Sequence, residues 1–155
     1  MVDRMIDLYM RQPAKYLIKF DTDTGMYRRF KYLPDEKGVV FGSLGEHVGI
    51  NRHWWVLGGC FGFTHEAAAL LHQSQILRSD WLKDYANTWA ISPMLIQKRV
   101  MAMGMISFEF MLSWACAQMG IRAIEFDDVC IRFRIRTPND DLRYAVIHPC
   151  KNGKL

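Results

Sequence analysis

Apolar residues recur with helical spacing over the first eleven positions of the chain, and Pro13 ends the helix that this spacing predicts. Residues 16–20 (YLIKF) and 26–33 (MYRRFKYL) flank a short turn rich in Asp and Gly, which predicts a β-hairpin. A second turn leads to a short strand over 39–41. The first part of the chain is therefore predicted to be one helix followed by strands.

The middle of the chain is predicted to be mainly helical. Residues 51–62 (NRHWWVLGGCFG) fit either a short helix that two glycines stop or a buried extended segment. Thr64 is in the position of an N-cap for a helix that continues to about Leu77. Ser79 is the start signal of a further helix that contains three aromatic residues.

Two more segments complete this middle part. Ser92-Pro93 is a helix-start signal, although residues 98–106 (KRVMAMGMI) also fit a strand. Ser107 is predicted to cap a helix over 108–119, which Gly120 ends.

The C-terminal part alternates apolar and charged positions with the period of a strand. This pattern predicts a strand over 129–136 (VCIRFRIR), with 143–148 as its antiparallel partner. Strands at both ends and helices between them indicate the α+β class, in which an antiparallel sheet of N- and C-terminal strands packs against a central group of helices. No linker divides the chain, so residues 1–155 are predicted to form a single domain.

The predicted C-terminal strand also has the clearest functional pattern. Its alternation places Arg132, Arg134 and Arg136 on one face and apolar side chains on the other. Side chains about 6.6–7 Å apart on one strand face match the phosphate spacing of a nucleic-acid backbone well enough to bind it. The alternative is a solvated strand face whose arginines pair with nearby acids such as Asp128 and Asp140.

The segment 27–32 (YRRFKY) places Arg28, Arg29 and Lys31 among aromatic rings. Aromatic rings and cations together are how single-stranded nucleic acid is bound without sequence preference. This segment is therefore predicted to extend the same basic surface.

Residues 51–57 (NRHWWVL) place cations beside tryptophans, and Arg52 and Trp54 are candidates for phosphate contact and base stacking. The alternative is that Trp54 and Trp55 are core residues whose rim is covered by Arg52 and His53.

Cys60 comes shortly before a predicted helix N-terminus, a position that lowers the pKa of a thiol. Residues 59–63 (GCFGF) resemble the nucleophile segment of papain-like peptidases and amidases, in which a His follows the Cys at a distance. The resemblance implies a thiol hydrolase with Cys60 as nucleophile and His148 as base. The alternative is a cysteine that fills the core.

Motifs for other chemistries are missing from the sequence. The segment 65–69 (HEAAA) lacks the second His of the HExxH zinc signature, and there is no P-loop, dinucleotide fingerprint or kinase motif. We therefore expect no metal and no cofactor, and we expect a protein that is not an enzyme.

The net charge indicates what kind of partner the protein binds, and the apolar runs and cysteines indicate its compartment. Lys and Arg number 20 against 16 Asp and Glu, a net charge of +4 that favours polyanions if it is concentrated on one face. Charges within the first ten residues argue against a secretory signal, and no apolar run is long enough to span a bilayer. Four widely spaced cysteines indicate reduced thiols, so the sequence predicts a cytoplasmic protein without a membrane partner.

Arg52, Trp55 and Leu57 form an Arg-x-x-Trp-x-Leu pattern, and Ser107-Phe108 forms a later Ser-Phe pair. The two patterns resemble helix starts in small proteins encoded in the recombination region of lambdoid phages, which include a recombination mediator that binds single-stranded DNA. The resemblance implies a phage accessory protein of the host cytoplasm that acts by binding.

Together these features predict a small non-enzymatic protein that binds nucleic acid, with single strands among its targets. The alternative is a protein-interaction module that inhibits or modulates a host defence complex. In that case the Met- and Trp-rich middle supplies apolar anchors, and the arginines contact an acidic surface of the partner. A hydrolase that depends on Cys60 is a third hypothesis. The oligomeric state stays open, with a homo-oligomer among the alternatives.

Overall fold

Three α-helices and seven strands are present in residues 2–22, 24–46, 54–79, 108–131 and 144–148, which a computed structural model describes. The helices are α1 (Val2–Arg11), α2 (His65–Ser74) and α3 (Phe108–Gln118), and a 3-10 helix (Ile76–Arg78) follows α2. The strands are β1 (Tyr16–Phe20), β2 (Gly25–Met26), β3 (Val39–Glu46), β4 (Trp54–Thr64), β5 (Arg122–Glu125), β6 (Val129–Ile131) and β7 (Val146–His148).

The strands form two sheets. In the larger sheet the order is β1-β4-β3-β5, and β4 is antiparallel to both of its neighbours, whereas β5 is parallel to β3. In the smaller sheet the order is β2-β7-β6, with β2 antiparallel and β6 parallel to β7. The predicted α+β class is confirmed. The predicted sheet is corrected in detail, because two of the strand pairs are parallel and β6 and β7 lie in a separate sheet.

The predicted hairpin between residues 16–20 and 26–33 is wrong. β1 pairs with the distant strand β4, from Tyr16 opposite Thr64 to Phe20 opposite Cys60. Of the second segment only Met26 is in a strand, β2, which pairs with β7. An extended 26–33 segment would have cations on both of its faces, so neither face could be buried without unpaired charge.

The prediction that residues 129–136 and 143–148 form an antiparallel pair is also wrong. β6 and β7 are parallel, with Val129 opposite Val146 and Ile131 opposite His148. The segment between the two strands is long enough for the crossover that parallel strands need, which is about a dozen residues or more. The predicted strand residues 132–136 lie outside the described part of the chain, as do the predicted helices after Ser79 and Ser92 and the segment 98–106.

The helices follow their local signals. α1 ends at Arg11, as predicted from Pro13, and α2 begins directly after Thr64 but ends at Ser74, earlier than expected. The Thr64 hydroxyl makes no cap bond to the helix and instead accepts a hydrogen bond from the Val39 amide at 3.2 Å. It thereby joins the start of α2 to the first residue of β3.

Gly120 ends the described helix α3 as predicted. It has a φ of +68°, and its amide donates to the Ala117 carbonyl at 3.2 Å. The next amide, of Ile121, donates to the Cys116 carbonyl at 2.8 Å. This pair of bonds is the Schellman motif, which favours glycine because a left-handed residue must follow the last turn.

Successive side chains along the strands of the larger sheet point to opposite faces, and each face packs into a different core. Leu17, Val40 and Phe61 belong to the core on the helix side of the sheet, where α1, α2 and α3 bury residues such as Ile6 and Trp114. The opposite face of the sheet contributes to a second core. That second core contains buried Phe41, Cys60, Phe126, Val129, Ala145 and Val146, with partly buried Tyr16, Ile18, Phe30, Leu33 and Ile124 packed against them. The larger sheet is therefore the middle of three layers.

Phe41 and Gly62 lie opposite each other on neighbouring strands in the second core. A Cβ atom at position 62 would lie 2.3 Å from Cζ of Phe41, so the phenyl ring fills the space above the glycine. The same ring packs 5.3 Å from the ring of Phe126 and 5.9 Å from that of Tyr16. Glycine at position 62 is thus required by the ring that covers it.

We expect Gly62→Ala to lower the free energy of unfolding by about 2 kcal/mol, because the added methyl group must displace the Phe41 ring from a packed core. Urea denaturation measures this change. In a Phe41→Leu background the cost of Gly62→Ala should fall to less than half, and an unchanged cost would contradict the proposed clash.

Candidate nucleic-acid interface

A loop covers the second core between β2 and β3, and it contains the predicted basic and aromatic segment 27–32. Its residues form no regular strand or helix. Phe30 and Leu33 pack into the second core, and the Tyr27 amide donates to the Ala145 carbonyl at 2.9 Å. The loop is therefore fixed to the core by side chains as well as by its backbone.

Asp128 is the main polar anchor of this loop, and its side chain is only 4% exposed. Arg28 donates to both carboxylate oxygens, from Nη2 at 2.5 Å and from Nη1 at 3.2 Å, and the Lys31 amide donates at 2.6 Å. The Asp128 carbonyl accepts from the amides of Ala145 and Val146 at 2.8 and 3.0 Å. One residue thus joins the loop to the start of β7.

Burial opposes ionisation of the Asp128 carboxyl, but the hydrogen bonds from Arg28 and from the Lys31 amide outweigh it and hold its pKa below the ordinary value. The carboxyl is therefore ionised at neutral pH and compensates the charge of Arg28.

The aromatic rings of the loop pack on Phe126, a buried residue of the second core. The Phe30 ring lies 5.4 Å from the Phe126 ring, and the Tyr32 ring lies 5.3 Å away and nearly perpendicular to it, at 86°. Tyr32 is nevertheless 52% exposed. An exposed ring held against the core is a preformed surface for stacking.

An open cleft of about 590 Å³ lies between this loop and the N-terminal end of β1. Its lining combines cations, aromatic rings and one carboxylate: Lys15, Tyr16, Met26, Arg29, Phe30, Tyr32, Leu33 and Asp35. Its size is within the range of about 300–1,000 Å³ that is common for ligand sites.

The charged groups of the cleft are accessible. Arg29 is exposed, and no described residue forms an ion pair with its side chain. Lys15 pairs with Asp35 at 3.0 Å, and its ammonium lies 5.2 Å from the centre of the Tyr16 ring. The Tyr16 hydroxyl donates to the Pro34 carbonyl at 2.8 Å, which fixes this side of the cleft.

The predicted binding residues have different environments in the structure. Arg28 is bound to Asp128, whereas Arg29 and Lys31 are exposed on the same loop. Trp54 is the first residue of β4, in the central sheet. The other predicted residues, Arg52, Arg132, Arg134 and Arg136, lie outside the described part of the chain.

Sequence reasoning missed Lys15, Tyr16 and Asp35, which complete the cleft. Lys15 and Tyr16 are separated from the segment 27–32 by a turn, Asp35 follows the segment after two residues, and no periodic pattern links the three. The sequence indicates Asp128 only as a partner of the C-terminal arginines, whereas in the structure it binds Arg28, one hundred positions away.

Cys60 is 1% exposed in the second core, and burial raises the pKa of its thiol to about 12, although Lys19 partly opposes this shift. At neutral pH the group is a protonated thiol rather than a nucleophilic thiolate. His148 lies in β7, in the smaller sheet. The geometry therefore favours the alternative in which Cys60 fills the core.

Three further observations concern the described ranges. Within them, no three His, Cys, Asp or Glu side chains are grouped so that they could bind a metal ion. None of the helices in these ranges combines the length and the apolar character needed to cross a bilayer. The Met- and Trp-rich middle, which the protein-interaction hypothesis requires, lies mostly outside these ranges.

No protein-family model matches the chain, and no curated protein matches it significantly. The resemblance to phage recombination proteins stays a prediction. Of its residues, Trp55 and Leu57 lie in strand β4 rather than at a helix start, whereas Phe108 is the first residue of α3.

We expect Asp128→Asn to lower the free energy of unfolding by about 3 kcal/mol, because it leaves the Arg28 guanidinium without its buried counter-charge. Urea denaturation at neutral pH measures this change. Asp127→Asn removes the same charge from an exposed neighbouring position and should change the stability by less than about 0.5 kcal/mol.

The same pair predicts a pH dependence. Because the pKa of Asp128 is lowered by folding, its contribution is complete above the unfolded-state pKa of about 3.9 and is lost as the pH falls through the folded-state pKa. The stability difference between wild type and Asp128→Asn should therefore shrink on acidification below about pH 4. A constant difference down to pH 2 would contradict this assignment.

The Cys60 thiol should react slowly with iodoacetamide in the folded protein at neutral pH, because it is both buried and protonated. Peptide mass spectrometry after timed alkylation measures its rate against that in urea. Rapid and selective labelling of Cys60 in the native protein would contradict this prediction and would support the hydrolase hypothesis.

Proposed function

We propose that this chain binds single-stranded nucleic acid, without catalysing a reaction on it, at the cleft between the 27–32 loop and β1. The observation on which the proposal rests is the lining of the cleft, where exposed Arg29 and Lys15 lie beside the rings of Phe30 and Tyr32. Cations bind the backbone phosphates of a single strand while aromatic rings stack on its unpaired bases.

The fixed position of the rings supports this proposal over a general attraction between charges. Tyr32 packs on Phe126, so its ring loses little freedom when a base stacks on it. A duplex has its bases already stacked and cannot offer them to an exposed ring without unpairing. The cleft is therefore expected to prefer single strands to duplexes of the same length.

The arrangement of cations supports a contact with the backbone. Arg28 is neutralised by Asp128, which leaves Arg29 and Lys31 as the exposed cations of the segment 27–32. The strand β6 begins directly after Asp128, and Arg132, Arg134 and Arg136 follow it in sequence. The proposal includes these arginines as a second set of phosphate contacts.

Fluorescence anisotropy with labelled single and double strands, between about 50 and 200 mM salt, tests the proposal. The Arg29→Ala/Lys31→Ala double variant should bind more weakly, and its salt slope should be about 1.4 smaller if both side chains neutralise phosphates. Tyr32→Ala should weaken binding about tenfold because it removes a stacking surface. A variant with glutamine at positions 132, 134 and 136 measures the share of the C-terminal arginines separately.

Arg4→Ala/Arg11→Ala is the matched control, because both residues are exposed on α1, which packs on the helix side of the larger sheet. This control removes the same charge and should retain the affinity of the wild type to within about twofold. If no oligonucleotide binds at low salt, or if both double variants lose the same affinity, the cleft is not a nucleic-acid site.

A further inference from the structure

Asp35 is an acidic residue in a cleft that is otherwise suited to an anionic ligand. Among the described residues that line the cleft, it alone has a carboxylate. Its side chain is 91% exposed and pairs with Lys15, which is itself 68% exposed, at 3.0 Å. An ion pair this exposed is weak because water screens it, so a ligand can displace it at little cost.

The polar groups of the cleft divide into those that suit phosphates and one that does not. Arg29 and Lys15 are donors only, and the Tyr16 hydroxyl already donates to the Pro34 carbonyl. Asp35 is an acceptor, because a carboxylate has two oxygens that accept hydrogen bonds and no N–H group. It repels phosphates, and the part of a DNA strand that it can bind is therefore the hydrogen-bond donors of a base, to which RNA adds the ribose 2′-OH.

Two oxygens of one carboxylate accept best from two parallel N–H donors. Guanine has such a pair on its Watson–Crick edge, in N1–H and the N2 amino group. Cytosine and adenine place an acceptor nitrogen beside their amino group, and thymine places two carbonyls around a single N–H. Unpaired bases are bound by hydrogen bonds at this edge, which a duplex conceals.

We infer that Asp35 is the specificity-determining residue of the cleft and selects guanine in a single strand. The inference rests on the proposed function. A guanine stacked near Tyr32 would take the two acceptor oxygens of Asp35, and the released Lys15 ammonium would bind a phosphate. Base selection at this position then comes from one exposed carboxylate, while the rings and cations supply affinity that does not depend on sequence.

The test uses thymidine strands of about twelve nucleotides that contain three guanines, three hypoxanthines or three cytosines. Hypoxanthine retains N1–H and lacks the N2 amino group, so it removes one donor of the pair. Wild-type protein should bind the guanine strand at least about fivefold more tightly than the other two, as measured by fluorescence anisotropy. Asp35→Asn should lose this preference and still bind plain thymidine strands.

Asp127→Asn is the control for charge, because Asp127 is exposed, acidic and outside the lining of the cleft. It should keep the guanine preference, even if its affinity for every strand rises slightly. Equal binding of all strands by the wild type, or a preference that persists in Asp35→Asn, would overturn the inference and leave the proposed function intact. If no strand binds at all, the proposed function fails and the inference fails with it.

Discussion

The ion pair between Asp128 and Arg28 is the contact on which the candidate site depends. The loop after β2 contains three cations within four positions, and it forms neither a helix nor a strand that would satisfy its backbone. The buried carboxylate of Asp128 compensates the charge of the Arg28 guanidinium and also accepts a hydrogen bond from the Lys31 backbone amide. The same residue accepts two amides at the start of β7, so the loop and the smaller sheet have a common support.

Helices could be predicted from the sequence and strand partners could not, and the reason is the range of the interactions. The ends of α1 and α3 depend on residues within a few positions, such as Pro13 and Gly120, whose effects are local. The partner of β1 is β4, more than thirty positions away, and residues 16–20 contain no signal that identifies this partner. β5 was not predicted because four residues (RAIE) are too few to show an alternation.

The candidate site was predicted in part for the same reason. The composition of 27–32 identified rings and cations that could bind a nucleic acid, because that information is contained in one short segment. Whether each cation is accessible depends on a carboxylate from a distant part of the chain, and Asp128 removes Arg28 from the set. A net charge of +4 therefore does not identify the cations that can contact a ligand until the buried ion pairs are known.

The irregular backbone of the loop is itself a condition for the cleft. In a strand, Phe30 and Tyr32 would lie on the face opposite to Arg29, so these two rings could not line one cleft with that cation. In the loop, Arg28 turns to Asp128 and Phe30 packs into the core, while Tyr32 stays half exposed and lines the cleft with Arg29. Buried contacts replace the missing strand pairing, so rings and cations line one cleft without a regular strand.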